Sequence, residues 1–142
     1  MAHSKNLDQK LEIASMTKIM TAYTCCQIIF GDMACYGINP KKVYLRASQY
    51  ASKIGGTTAY IKEGMRYSIY DLMVGLMLPS GNDAAQVLAE NFGRFLCIDN
   101  CRISLTRLKD FLETDPYTQD SGRQYIIKFI KRMNHEASKI KL

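Results

Sequence analysis

The sequence predicts a mainly α fold with one small two-stranded ribbon. Apolar residues recur at three- and four-residue steps through long stretches, which is the helical period. The two segments of strand-like composition, Val43–Leu45 and Met65–Tyr67, are short. Between these segments lie turn signals at Asn39-Pro40, Gly55-Gly56, Glu63-Gly64 and Pro79-Ser80-Gly81-Asn82.

Taken in order, the first helix is expected from Ser15 to Phe30, with Ile19, Met20, Tyr23, Cys26, Gln27 and Phe30 at helical steps and Gly31 as its stop. Apolar residues occupy several of its faces, so it reads as a central, nearly enclosed helix. Val43–Leu45 and Met65–Tyr67 are expected to pair as the ribbon, with a short helix from Ala47 to Lys53 and an extended Thr57–Ile61 between them. Ser68 reads as an N-cap, Asp71 three residues on completes a capping-box pattern, and Leu72, Met73, Leu76 and Met77 form the buried face of that helix. Pro79 cannot continue it. Asn82 or Asp83 then caps a helix from Ala84 to Phe92, closed by Gly93. Further helices are expected from Ser104 to Leu112 and from about Arg123 to Ile140. The second carries Tyr125, Phe129, Met133, Ala137 and Ile140 on one side. Asp115-Pro116 reads as a turn and Thr118–Gly122 as a polar loop.

At 142 residues, 47% hydrophobic and 23% charged, the chain has the composition of one globular domain or part of one. No apolar run approaches the length that spans a bilayer, and Met1 to Lys10 lacks the apolar core of a signal peptide. The compartment is left open. The net charge of +6 is dispersed apart from Lys128, Lys131, Arg132, Lys139 and Lys141, which read as a solvated helix face. With no zinc-finger spacing and no glycine–aromatic motif, no nucleic-acid partner is expected. The five cysteines are irregularly spaced and read as buried or free thiols. Cys97-x-x-x-Cys101 gains little from His3 and His135, so no zinc site is expected there.

Two stretches carry chemistry. Ser15 and Lys18 stand one helical turn apart and project from the same face. A serine hydroxyl is a poor nucleophile until a neighbour takes its proton, and a lysine amine can do so if burial or positive charge lowers its pKa. Taken alone, the same pattern also describes a helix start followed by a solvated lysine. The second stretch is Ser80-Gly81-Asn82, a hydroxyl and an amide held in a tight turn between two helices.

Ser-x-x-Lys at the start of one helix, followed by Ser-x-Asn in an interhelical turn, is the motif order of penicillin-recognising serine enzymes. Ile13-Ala14-Ser15-Met16-Thr17-Lys18-Ile19-Met20-Thr21-Ala22 resembles the nucleophile helix of S11-type D-alanyl-D-alanine carboxypeptidases, the low-molecular-weight penicillin-binding proteins. Tyr70 through Ala85, which contains Pro79-Ser80-Gly81-Asn82-Asp83, is similar to their second motif and its preceding helix, and Thr57 to Tyr67 also looks like theirs. The resemblance covers residues 12–93 best, and residues 95–122 read as an insertion. It implies that residues 1–142 form a single partial domain, the helical subdomain of a β-lactamase/transpeptidase-like α+β fold with most of the sheet absent.

By the same resemblance Ser15 is the nucleophile, Lys18 its base and Ser80 a proton relay to the leaving amine. Asn82 holds the substrate amide and orients Lys18, and the Ser15 N–H is one oxyanion donor. The implied partner is a peptidoglycan-type peptide ending in D-Ala-D-Ala, with β-lactams as acylating mimics, and the resemblance implies no metal and no organic cofactor. The family's third motif, Lys-Thr-Gly on a late strand, does not occur in the sequence. Loss of one oxyanion donor costs about 10²–10³ in kcat, so slow acylation is expected to survive better than turnover. Helix faces that cover the sheet in the family are expected to meet water here unless a partner chain or further sequence completes the sheet. A non-catalytic relative that keeps the helical scaffold for binding glycan, peptide or another protein is the other reading.

Overall fold

The computed structural model describes residues 12–98, 103–114 and 122–141. They form a helical cluster with one two-stranded sheet, the mainly α fragment that the sequence predicts. A 3-10 turn at Ala14–Met16 leads into α1 (Thr17–Gln27). The helix does not stop at Gly31. It widens into a π turn at Ile28–Asp32, tightens to a 3-10 turn at Ala34–Tyr36, and ends at Gly37 in the left-handed region with φ 55°. Winding past Gly31 brings Met33 into the core, where it is fully buried beside Ile28 and Ile29.

Nor is α1 enclosed. Met16, Ile19 and Phe30 are 64%, 57% and 71% exposed, whereas Thr21, Thr24 and Cys25 are buried. The threonines can face inward because each hydroxyl donates to the carbonyl one turn back, Thr21 to Thr17 at 3.2 Å and Thr24 to Met20 at 2.8 Å. Burial pushes the Cys25 thiol up, with the adjacent Cys26 adding to the shift, so Cys25 behaves as a small apolar side chain.

The ribbon forms one residue later than expected. β1 (Tyr44–Arg46) pairs antiparallel with β2 (Arg66–Ser68), Leu45 opposite Tyr67. Leu45 is fully buried under it. Between the strands, α2 (Gln49–Lys53) is capped by Ser48, whose Oγ accepts from Ala51 N at 3.0 Å. Thr57–Ile61 is an irregular strap rather than a uniformly extended segment, with Tyr60 at φ 60°. Ser68 caps α3 (Ile69–Met77) as expected. Its Oγ accepts from Asp71 N at 3.0 Å and donates to Asp71 Oδ2 at 2.6 Å. The buried face of α3 is Ile69, Leu72 and Leu76, while Met77 turns out to solvent.

α4 (Asn82–Phe95) packs against α1, α2, α3 and β1, and its largest partner is α6 (Gly122–Lys139). Gly81, not Asn82 or Asp83, is its N-cap. Gly93 does not close it. The helix runs through Gly93, and a Cβ at that position would overlap the backbone of Tyr125 in α6. The glycine is there to let two helix backbones approach. α5 (Leu105–Glu113) is capped by Ser104 and buries Leu108 and Leu112.

On α6, Phe129 is buried and Met133 packs against the core, but Ile140 lies past the helix and is 45% exposed. Glu136 is buried instead, held by Arg132 Nε at 2.7 Å and Lys139 Nζ at 3.2 Å. Arg132 also pairs with Asp32 at 2.7 Å. Arg132 and Lys139 are therefore partners of acidic groups, not members of a free basic face. Ile127 and Ile130 on this helix are exposed, as are Met16 just before α1 and Ile19 on it. Among the described residues no helix is long and apolar enough to cross a membrane. The expected Asp115-Pro116 turn, the loop from Thr118 up to Gly122, His3 and Cys101 lie outside the described residues.

Two substitutions test this packing by thermal or urea unfolding. Gly93→Ala is expected to force α4 and α6 apart and cost about 1–3 kcal/mol by overpacking. Ser68→Ala removes only the α3 cap and is expected to cost about 1 kcal/mol.

Candidate active site

Ser15 lies in the 3-10 turn that starts the first helix, and Lys18 lies in the first turn of α1. Ala14, just before Ser15, has φ 42°, a left-handed conformation that costs an L-residue free energy and turns the chain sharply into the helix. Ser15 is exposed and Lys18 half-buried. Lys18 Nζ donates to Asn82 Oδ1 at 2.7 Å, 64 residues away in the chain, and lies 3.4 Å from Ser15 Oγ. Three of the four residues singled out in the sequence thus meet at one point.

The second loop explains how Asn82 is aimed. Pro79 ends α3, Ser80 takes φ 57°, and Gly81 N donates to Gly75 O at 3.0 Å to close the turn. Asn82 then enters α4 with three hydrogen bonds. Besides accepting from Lys18, its Nδ2 donates to Gly55 O at 2.8 Å and its backbone N–H donates to Thr57 O at 2.7 Å. One amide N–H of Asn82 is used in this way, leaving the second hydrogen on Nδ2 for another acceptor. Gly56, at φ 92°, passes so close that a Cβ would overlap the Asn82 amide. The Gly55-Gly56 pair, read in the sequence only as a turn signal, is a rest for the Asn82 side chain.

Ser80 stands apart from this group. Its carbonyl accepts from Thr57 Oγ1, and its own Oγ is buried with no hydrogen-bond partner among the described residues. Asp83, which the sequence offers only as a possible helix cap, is buried next to Asn82. It is 3% exposed, and its carboxylate accepts from Thr58 Oγ1 at 2.6 Å, Ala59 N at 2.8 Å and Ile61 N at 3.0 Å. Burial by itself raises its pKa, but the hydrogen bonds from Thr58, Ala59, Ile61 and Ala84 outweigh that and hold the carboxyl below the usual range. The available signal was an acidic residue in the first turn of a helix, where the helix dipole favours negative charge.

An open cleft of about 460 Å³ runs from this group between α1, α4 and α6. Ser15, Lys18 and Asn82 line one end, and Ala89, Phe129 and Met133 line the other. An exposed hydroxyl beside an amine, with an amide fixing the amine, is an arrangement able to activate the hydroxyl as a nucleophile. The described residues contain no group of three His, Cys, Asp or Glu side chains positioned to hold a metal ion.

Comparison with known proteins gives a consistent result. The family model of the S11 peptidases, D-alanyl-D-alanine carboxypeptidases, matches residues 2–94. The chain is 31% identical over 88 residues to D-alanyl-D-alanine carboxypeptidase DacF of Bacillus subtilis, covering 62% of this chain and 21% of that protein. It is 35% identical over 91 residues to DacC of Escherichia coli, covering 60% and 22% respectively. Among solved structures, the carboxypeptidase DacD from Francisella tularensis superposes with a TM-score of 0.65 at 28% identity, over 96% of this chain and 25% of its own. Penicillin-binding protein 6B of Escherichia coli gives a TM-score of 0.59 at 27% identity, over 94% and 33%. The chain therefore spans about a fifth of the length of these two curated relatives.

The site also sets an acid limit on stability. Asp83 and Glu136 are both held below the ordinary carboxylate value in the folded chain. For Glu136, burial raises the pKa and the bonds from Arg132 and Lys139 more than reverse it. Groups with depressed folded pKa values contribute stability that is complete above the unfolded value, about 4, and is lost as the pH falls through the folded one. The melting temperature is expected to hold between about pH 5 and 7 and to fall steadily below about pH 4. That acid limb should be shallower in Asp83→Asn.

Proposed function

Since the chain belongs to the S11 family of D-alanyl-D-alanine carboxypeptidases, we propose that its cleft is a serine acyl-transfer site for peptides ending in D-Ala-D-Ala. The observation that carries this reading is Lys18 Nζ, 3.4 Å from Ser15 Oγ and 2.7 Å from Asn82 Oδ1. In this reading Lys18 takes the Ser15 proton as Oγ attacks the carbonyl of the penultimate D-alanine, and the Ser15 N–H supports the oxyanion. Ser80, whose Oγ is buried and unpartnered among the described residues, passes the proton to the departing D-alanine amine. The remaining hydrogen on Asn82 Nδ2 binds the substrate amide carbonyl. Water then releases the acyl group from Ser15. A β-lactam would acylate the same oxygen by ring opening, with the ring nitrogen taking the proton and no fragment leaving.

These residues contain no Lys-Thr-Gly, so the reading expects an acyl-enzyme that forms slowly. The test is incubation with a fluorescent penicillin, followed by intact-mass and peptide mass spectrometry. A single adduct on the Ser15 peptide, lost in Ser15→Ala and slowed at least about 10²-fold in Lys18→Ala, is expected. A folded, monodisperse wild type that gains no adduct would favour the non-catalytic scaffold and overturn the acyl-transfer reading.

A further inference from the structure

We propose that Asp83 is a positioning residue for the Ser15–Lys18–Asn82 group, acting through the strap of residues 55–61; this rests on the acyl-transfer reading above. The strap belongs to no helix or sheet, so its inward-facing N–H groups have no ladder to join. Those of Ala59 and Ile61 both end on the Asp83 carboxylate, as does the Thr58 hydroxyl, while Thr58 Oγ1 accepts from Tyr60 N at 2.9 Å. This set holds Tyr60 in its left-handed conformation. At its other end the strap offers carbonyls rather than N–H groups. Gly55 O and Thr57 O receive the Asn82 amide and backbone N–H.

The first turn of α4 and the strap therefore exchange hydrogen bonds in both directions. Asp83 does not line the cleft, yet it fixes the segment that fixes Asn82, and Asn82 fixes Lys18. The fit leaves little slack, since a Cβ on Gly81 or on Gly75 would stand 2.9 Å from Ala59 Cβ. Replacing the carboxylate with an amide turns an N–H₂ toward backbone donors that have no other acceptor among the described residues. The strap lifts, and the Gly55 carbonyl leaves Asn82.

The experiment is the time course of fluorescent-penicillin labelling at rising concentration for wild type, Asp83→Asn and the milder Thr58→Val. It separates the limiting rate constant, the half-saturation concentration and the labelled fraction at the end point. Asp83→Asn is expected to lower the limiting rate about 10²-fold, the scale of a misplaced catalytic group, with the labelled fraction kept. Thr58→Val is expected to lower it less, and it decides the matter if Asp83→Asn fails to fold. An unchanged rate constant overturns the proposal, whether or not the labelled fraction drops, because a purely structural role removes active molecules without slowing those that remain. If wild type itself is not labelled, the acyl-transfer reading fails. The link is then read from the NMR signals of the Asn82 side-chain amide. Their shift and faster solvent exchange in either folded variant supports it, and unchanged signals overturn it.

Discussion

Asn82 and Asp83 are successive residues in the first turn of α4, and successive side chains on a helix point about 100° apart. One therefore meets Lys18 of α1 while the other meets the strap, and the Asp83 carboxylate is too enclosed to be left without partners. The local backbone is arranged around that requirement. Gly75 and Gly81 let Ala59 approach, Gly56 clears the Asn82 amide, and Pro79 stops α3 in time for the turn. A carboxylate that gathers donors from Thr58, Ala59 and Ile61 converts an irregular segment into a fixed wall without a sheet.

A cleft can present such a group steadily only if its helices do not move against one another. At its far end α4 is pressed backbone to backbone on α6 at Gly93 and Tyr125, with Phe129 buried nearby. Arg132 joins α6 to the π turn that extends α1 by pairing with Asp32, and its bond to the buried Glu136 keeps that carboxylate partnered. Without Arg132 the buried Glu136 would keep only Lys139 as a partner, so loss of the arginine is expected to destabilise the fold. A contact of 3.8 Å from Thr21 Oγ1 to Met133 Sδ closes the remaining side, between α1 and α6. Ser15 and Asn82 are thus carried on supports tied to each other at several points.

Strain is concentrated in the same region. Of the four non-glycine residues at positive φ among the described residues, Ala14 precedes Ser15, Ser80 precedes the Gly81-Asn82 turn, and Tyr60 lies in the strap. Each costs about 1–3 kcal/mol and persists only where its surroundings over-determine it. For Ser80 and Tyr60 the surroundings are the hydrogen bonds of the turn and of the strap.

The sequence by itself determined whatever depends on a few neighbouring residues. It gave away the Ser68 cap and its Asp71 partner, the halt at Pro79, the presence of the ribbon, and the single helical turn between Ser15 and Lys18. It also carried the motif order from which the family was legible. Only the tertiary structure decided that Gly31 and Gly93 do not stop helices, that Thr21 and Thr24 turn inward while Ile19 turns out, and that Glu136 is buried in place of Ile140. It also decided that Gly55 and Gly56 lie against the Asn82 amide and that Asp83 gathers the N–H groups of the strap. The physical reason is the same in each case. Caps and helical spacing are satisfied by backbone groups within a turn or so, whereas the burial of a threonine, the need for a glycine and the role of a carboxylate depend on surfaces that the chain brings alongside only when it folds.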